Sequence, residues 1–260
     1  MRQVSSITTN NPCYGIIGQG RLARHLIHYF SLVDIPFIST SSRDDKGIKT
    51  VATKCDIILL AIADKALLDL YHTHSILQIK PCVHFSGALY LENIIGCHPL
   101  MTFSYELYPL QTYQSILFTL DSDSHFSTLF PKLNNPHILI NAKDKPYYHA
   151  LCVMANNFTT LLWQHFFDQM QSKFGAAQKA LSPFLMQTLQ NINQDYKHAL
   201  TGPLARGDQD TIEKNLSALN NDAFKPVYES FINAYTQQQA SDKLQHTHRR
   251  DHITEKEVIL

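Results

Sequence analysis

The chain has 260 residues, of which 44% are hydrophobic, so it is long enough to bury a sizeable core and to form two domains of ordinary size. Its 22 basic residues equal its 22 acidic residues; because binders of nucleic acids and membrane surfaces usually carry a clustered basic excess, this balance argues against both partners and favours a small-molecule substrate. No apolar run approaches the roughly 20 residues needed to span a bilayer, and the N-terminus lacks the apolar segment of a signal peptide, so a cytoplasmic protein is expected.

A short apolar strand ending at Ile17 runs into a Gly-x-Gly-x-x-Ala turn and then into a helix predicted over residues 22–30. In such a turn the first glycine permits the tight bend, the second lets the backbone approach a pyrophosphate, and the alanine lets the helix pack closely on the strand. The chain has only nine glycines, and three of them lie between positions 15 and 20, so the background is not glycine-rich. An ordinary strand-to-helix turn is the alternative. We predict a dinucleotide site formed by Gly18, Gln19, Gly20, Arg21 and Leu22.

The second strand, predicted at residues 35–38, is followed by the hydroxyl and guanidinium groups of Ser41, Ser42 and Arg43. An NAD site usually has an acidic residue near this strand end to hold the ribose 2′-OH, whereas a cluster of hydroxyls and arginine suits a 2′-phosphate. The sequence therefore favours NADP(H). Asp44 and Asp45 stand next to Arg43 and weaken this preference, and the alternative is that Arg43 is a solvated loop residue.

Strands and helices alternate over about the first 140 residues. Further strands are predicted at residues 56–63, 81–85, 96–100, 115–120 and 137–140, and the first of these is a continuous apolar run, typical of a central parallel strand buried on both faces. Strand ends of this kind face the ligand crevice, which adds Ala63, Asp64, Ser86 and Gly87 to the predicted cofactor site. The pattern predicts a doubly wound α/β fold with a parallel sheet.

The pattern becomes helical after residue 144. Helices are predicted at residues 146–171, 183–200, 211–219 and 226–239, followed by a polar, histidine-rich tail at residues 240–260. The histidines of this tail are expected to lie on a solvated surface. The sequence therefore predicts two domains, residues 1–144 and an all-helical domain of residues 145–260.

Three polar residues, Lys145, His149 and Asn157, are spaced so that they share one side of the first long helix, because steps of four and eight residues advance the helical face by only about 40° and 80°. Hydride transfer to a carbonyl needs a proton donor near the oxygen, which Lys145 or His149 could be, and Asn157 could orient the substrate or the lysine. His98 is a fourth candidate catalytic residue. A structural hydrogen-bonding role is the alternative for each.

The segment Thr201–Asp208 is the predicted site for a substrate carboxylate, because Arg206 can grip a carboxylate with two parallel hydrogen bonds and the glycines and proline give the loop a fixed path. A structural turn with Arg206 paired to Asp208 is the alternative. The predicted substrate-binding residues are Ser86, His98, Asn157, Thr201 and Arg206.

The cysteines and histidines do not predict a metal. Five cysteines, odd in number and widely spaced, favour buried reduced thiols over a disulfide framework or a zinc site: Cys13, Cys55, Cys82, Cys97 and Cys152. The 14 histidines form neither a His-Glu-x-x-His pattern nor a set with cysteine partners.

Several of these motifs together resemble one family. They are Gly18-Gln19-Gly20-Arg21, residues 84–88, residues 98–103, residues 144–149, Asn156-Asn157-Phe158 and residues 201–208. From residue 13 to about residue 235, the chain resembles the bacterial Rossmann-like proteins with a C-terminal DUF2520 domain. These belong to the larger group of 6-phosphogluconate-dehydrogenase-like and F420-dependent NADP oxidoreductase-like proteins.

The resemblance implies a Rossmann-like NADP-binding domain, a helical domain that completes the pocket and forms a homodimer interface, and reduction of a small oxo acid. Some proteins that look like this act as alternative ketopantoate reductases in pantothenate synthesis. Related oxidoreductases place a lysine and an asparagine on the first long helix of the second domain, as Lys145 and Asn157 stand here, whereas His149 has no obvious counterpart. The sequence therefore predicts an NADPH-dependent reductase of a small 2-oxo acid, with ketopantoate as the leading substrate. The alternatives are a non-catalytic NADP-binding sensor and a reductase of another oxo or imino acid; a methyltransferase would need an acidic residue where Arg43 stands.

Overall fold

The computed structural model describes residues 11–121 and 125–257, with side chains up to residue 242. The chain divides into two compact units, Met1–Phe166 and Phe167–Leu260. Each unit is described by itself.

The first unit is built on a seven-stranded sheet. Its strands are β1 Tyr14–Ile17, β2 Phe37–Thr40, β3 Ile57–Leu60, β4 Cys82–His84, β5 Ile95–Pro99, β6 Phe118–Leu120 and β7 His137–Leu139. They lie side by side in the order β2-β1-β3-β4-β5-β6-β7. The first five strands are parallel, β6 runs antiparallel to β5, and β7 runs parallel to β6. The strand order reverses between β1 and β3, which confirms the doubly wound fold that the sequence predicts.

Helices cover both faces of this sheet. They are α1 Arg21–Leu32, α2 Asp45–Lys54, α3 Asp64–Thr73, α4 Leu110–Ser115, α5 Phe126–Leu129 and α6 Lys145–Val153. Every residue of β1 and β3 is buried, as expected for apolar central strands. The buried side of α1 packs with α4 and α5 in one core layer, which includes Phe30 and Phe118. The apolar sides of α2 and α3 form the other layer with Ile58 and Leu60. The core therefore fixes the carboxyl ends of β1 and β3, where the cleft described below lies.

The second half of the chain is helical, as predicted. After a π-helical turn at Met154–Phe158, the helices are α7 Thr159–Phe174, α8 Gln178–Gln194, α9 Pro203–Arg206, α10 Gln209–Ala218 and α11 Lys225–Glu257. The last helix extends well beyond residue 239, where the sequence predicts its end. The tail histidines past residue 242 lie outside the described side chains.

The bounds predicted for α8, residues 183–200, are wrong at both ends. Gly175, with φ of +67°, ends the preceding helix, and α8 begins soon after it at Gln178, so Pro183 lies inside the helix rather than at its start. At the other end the Asp195 carboxylate accepts hydrogen bonds from the Lys197 backbone and the His198 ring, at 3.2 and 2.7 Å. Because such local side-chain bonds compete with helical hydrogen bonding, the helix ends at Gln194.

Within the described ranges, no helix combines the length and the apolar character that crossing a bilayer would require.

Candidate functional site

A cleft of about 1130 Å³ opens at the carboxyl ends of β1 and β3, where the strand order reverses. Such reversal points are where open α/β sheets bind their ligands. The cleft is lined by residues 18–22, 41–43, 61–63, 101–103, 156–158, Thr160, Leu161 and Gln164. It therefore brings together the predicted glycine turn, the Ser41–Arg43 segment, Ala63 and Asn157.

The two glycines of the turn have different functions. Gly18 has φ of +143°, and a Cβ at this position would collide with the Ala61 carbonyl oxygen, so the fold itself requires glycine there. Gly20 is the N-cap of α1, and a Cβ built on it would have no protein atom within 4 Å. The first turn of α1 has no side-chain cap, so its N–H groups are available to an anion. These features fit a phosphate group of a dinucleotide.

The two acidic residues beside Arg43 interact with other parts of the protein. The Asp44 carboxylate caps α2 by accepting the Gly47 N–H at 2.9 Å, and it also accepts the Thr40 hydroxyl at 3.2 Å. Asp45 lies 3.5 Å from the His74 ring. Of the consecutive residues 43–45, Arg43 alone lines the cleft. The wall next to the glycine turn therefore includes Ser41, Ser42 and Arg43, residue types that suit a 2′-phosphate.

The long helix predicted over residues 146–171 is interrupted by the π turn at Met154–Phe158. A π turn closes its hydrogen bonds over five residues rather than four, so positions in it leave the 3.6-residue period on which the prediction rests. Asn157, which belongs to this turn, is exposed and lines the cleft. Lys145 is only 3% exposed and does not line it.

Lys145 belongs instead to a buried ion pair. Its ammonium group donates to Asp121 at 3.1 Å and to the Ser86 carbonyl oxygen at 3.2 Å. The other Asp121 oxygen accepts the Gly96 N–H at 2.9 Å. A Cβ at Gly96 would collide with the Asp121 carboxylate, so this position must be glycine for the pair to form. The start of α6 is thereby tied to β5, to the end of β6 and to the loop after β4.

The Ser86 hydroxyl also forms hydrogen bonds within the protein. It donates to Asp64 at 2.6 Å and accepts the backbone N–H groups of Ala88 and Leu89 at 3.3 and 3.0 Å. A residue with these partners shapes the loop after β4. A role for Ser86 and Asp64 in cofactor or substrate binding stays a prediction.

His98 and His149 lie together at this loop, with ring centroids 6.3 Å apart. Both rings pack against Gly87, where a Cβ would lie 2.6 Å from His149 and 3.2 Å from His98. Burial, and then the nearby His149 and Lys145, lower the pKa of His98 to about 4, so its ring is neutral at pH 7. His98 and His149 do not line the large cleft, but Met101, three residues after His98, does.

Thr201 and Arg206 lie in the second unit. Gly202 and Gly207 adopt φ of +99° and +68°, which give the segment the tight path that the sequence predicts. Thr201 is exposed, and the Arg206 guanidinium, 64% exposed, lies 3.9 Å from Asp208, as in the structural alternative. Their binding of a substrate carboxylate stays a prediction.

Sequence reasoning missed several residues of these two regions. Asp121 follows a short strand and has no distinctive neighbour in the sequence. Tyr148 lies within the motif of residues 144–149, but nothing in its residue type marks it as part of the site. The cleft wall also includes residues 101–103 and Gln164. Their positions in the sequence do not predict that they lie near the glycine turn.

Part of the chain matches a known family. Residues 121–234 match the profile of the family described as domain of unknown function DUF2520, which confirms the predicted resemblance for this part of the chain. No curated protein matches the chain.

Solved structures share the fold at low sequence identity. BF3122 from Bacteroides fragilis, named as a candidate NADP oxidoreductase, has a TM-score of 0.68 at 19% identity, over 89% of this chain and 100% of that one. Protein TM1727 from Thermotoga maritima has a TM-score of 0.65 at 16% identity, over 88% and 99%. Pyrroline carboxylate reductase from Plasmodium falciparum, solved with NADP bound, has a TM-score of 0.55 at 15% identity, over 88% and 98%. The comparison supports the Rossmann-like fold with a helical C-terminal part.

The two glycines should separate folding from cofactor binding. We expect Gly20→Ala to weaken NADPH binding at least about 10-fold, because the methyl group faces the space a phosphate would occupy, while stability changes by no more than about 1 kcal/mol. Gly18→Ala should instead destabilise the fold, by about 1–3 kcal/mol or more. NADPH titration by fluorescence and urea unfolding measure the two effects. Unchanged NADPH affinity in Gly20→Ala would contradict the assignment of the turn.

The ion pair should contribute to stability whatever its role in catalysis. We expect Lys145→Ala to lower the free energy of unfolding by about 3–5 kcal/mol, because it leaves the Asp121 carboxylate buried without its cation. Adding Asp121→Asn should recover part of this loss. Lys143→Ala, on the exposed residue two positions earlier, is the matched control and should change stability by less than about 0.5 kcal/mol. Urea unfolding of the four proteins measures this, and wild-type stability in Lys145→Ala would refute a structural ion pair.

Proposed function

We propose that this protein is an NADPH-dependent reductase of a small 2-oxo acid, with ketopantoate as the leading substrate. The observation that carries the proposal is the cleft at the strand reversal, which joins the glycine turn, the uncapped start of α1 and Arg43. The family resemblance, to which the DUF2520 match belongs, supports the proposal, and the name of the Plasmodium falciparum protein of similar fold supports a reductase in general.

The residues present fit NADP(H). Gly20 and the first N–H groups of α1 would hold the pyrophosphate, and Arg43 with Ser41 and Ser42 would hold the 2′-phosphate. Bound NADPH supplies the hydride. Asn157 adds an amide to the wall of the same cleft, where it can orient a polar group of cofactor or substrate.

Two of the predicted proton donors differ in their surroundings. Lys145 already donates to Asp121 and to the Ser86 carbonyl in a buried site. His149 is only partly buried and lies beside His98. This favours His149 as the group that gives a proton to the substrate oxygen, and Lys145 as a fixed positive charge that stabilises the alkoxide from a distance.

An imino acid is the second candidate substrate, because the Plasmodium falciparum protein is named a pyrroline carboxylate reductase. A C=N bond accepts a hydride in the same way as a C=O bond and needs the same kind of donor. The reaction uses NADPH, which is available in the cytoplasm, and a cytoplasmic location is what the sequence predicts.

We also propose that the protein forms a homodimer through its second unit. Several large apolar side chains of this unit are exposed: Phe174, Phe184, Met186, Leu189 and Ile192. Among the side chains described for residues 167–242, Ile212 alone is buried. Exposed large apolar side chains in this number suggest that part of this surface is covered by a partner, and a second copy of the chain is the occupant that the family resemblance implies.

The function predicts NADPH oxidation, followed by absorbance, with ketopantoate or with a pyrroline carboxylate. We expect turnover with NADPH to exceed that with NADH. Arg43→Ala should lower kcat/KM for NADPH about 10- to 100-fold, the value of one charged hydrogen-bonding group, and leave NADH turnover unchanged. Lys46→Ala, which removes an exposed charge outside the cleft, is the control.

Each other outcome of this assay has a definite meaning. Reduction of the pyrroline carboxylate alone would replace ketopantoate by an imino acid. Binding of NADPH without turnover of either class would refute the reductase and favour the sensor. Equal use of NADH and NADPH would refute the role of Arg43.

The dimer predicts a mass of twice 29.7 kDa by light scattering coupled to size exclusion. The double variant Leu189→Glu/Ile192→Glu should run as a monomer, because charges in a buried apolar interface are unfavourable. Gln194→Glu, on another side of α8, should stay dimeric. A monomeric wild-type protein would contradict the proposal.

A further inference from the structure

Tyr148 is a half-buried neighbour of the catalytic candidates. It lies on α6 between the exposed Tyr147 and His149, and its hydroxyl lies 2.9 Å from His98 Nδ1. Burial raises the pKa of Tyr148 to about 12, so the phenol keeps its proton at neutral pH. The contact is therefore made by a group that can donate.

The surroundings of the hydroxyl favour donation to His98. Cys152, one turn further along α6, is another neighbour of the Tyr148 hydroxyl, but a thiol is a weak acceptor. Thr119, on β6, also borders it, and the Thr119 hydroxyl donates to the His98 carbonyl oxygen at 3.4 Å. The unprotonated ring nitrogen of a neutral histidine is the strongest acceptor among these groups.

The other nitrogen of His98 is available. Among the described residues, His98 Nε2 has no hydrogen-bond partner, and it packs close to the Gly87 backbone. The charged and titratable groups around the ring are His149 and Lys145 from α6, Asp64 from α3 and His84 from β4. Two of these, Lys145 and Asp64, are engaged with Asp121 and Ser86 respectively. A ring fixed at Nδ1 and open at Nε2 is suited to donate a hydrogen bond to a ligand.

We infer that Tyr148 is a positioning residue, whose hydroxyl donates to His98 Nδ1 and fixes the tautomer that presents Nε2–H to the carbonyl oxygen of the substrate. The inference rests on the proposed reductase function and adds to it the group that polarises the carbonyl. A neutral imidazole can polarise a carbonyl oxygen without giving up its proton, so His98 would act as a hydrogen-bond donor and His149 would supply the proton.

Nitrogen NMR of histidine-labelled protein tests the tautomer without any substrate. His98 is assigned by the signal lost in His98→Gln. At pH 7.5 we expect the Nε2–H tautomer in the wild-type protein. In Tyr148→Phe we expect a mixture of tautomers and a higher His98 pKa, because the hydrogen bond to the neutral ring is lost. Tyr147→Phe, on the adjacent exposed residue, should match the wild type. An Nδ1–H tautomer in the wild-type protein, or an unchanged His98 signal in Tyr148→Phe, would overturn the inference.

Steady-state kinetics, with whichever substrate the NADPH oxidation assay identifies, give the second readout. We expect Tyr148→Phe to lower kcat about 10- to 100-fold while the KM for NADPH stays unchanged, since the cofactor cleft is not touched. A fall in NADPH affinity with unchanged kcat would overturn the inference. If the wild-type protein reduces no substrate, the proposed function fails, whereas the NMR result still decides whether Tyr148 fixes the His98 tautomer.

Discussion

The buried contact between Lys145 and Asp121 organises the side of the first unit that carries the proposed catalytic residues. It takes one charge from the start of α6 and the other from the end of β6, and each is completed by a backbone group, the Ser86 carbonyl and the Gly96 N–H. Removing two charges from water costs free energy, and their attraction offsets this cost only when the geometry is good and further hydrogen bonds complete it. Because His149 lies one turn after Lys145, the ion pair also sets where the histidines meet above Gly87.

The cofactor side depends on a different constraint, the close approach of the glycine turn to β3. Gly18 touches the Ala61 carbonyl, and its backbone N–H bonds to Thr40 of β2 at 2.9 Å. The turn is thus held by both neighbouring strands of the sheet. The next glycine, Gly20, has space around its Cα that no protein atom fills, so a ligand can approach the backbone there. The proposed preference of this side for a 2′-phosphate is consistent with the capping of α2, since the carboxylate that could repel a 2′-phosphate accepts hydrogen bonds from Gly47 and Thr40.

The sequence predicted the architecture well because central parallel strands are continuous apolar runs and the glycine motif marks the first turn. Strand ends were predicted within a few residues, and the structure places Ser41–Arg43 and the glycine turn at one cleft. Helix ends in the second half were harder, because the Asp195 side chain and Gly175 decide them locally.

The chemistry could be predicted only in part. Lys145 was identified from its spacing with His149 and Asn157, but spacing on one helix does not reveal a partner from a distant strand such as Asp121. Tyr148 gave no signal of its own, since a tyrosine on a helix is an ordinary core residue until the fold places a histidine nitrogen against its hydroxyl.

The π turn at Met154–Phe158 has a consequence for comparing chains of this kind. It holds one residue more than a regular α-helical turn. The residues Asn156–Phe158 of this turn line the cleft. A related chain with an unbroken helix would need one residue fewer to bring Leu161 and Gln164 to the same wall. An alignment without a gap in this helix would therefore pair every later position with the wrong neighbour, and similarity in the helical half would be underestimated.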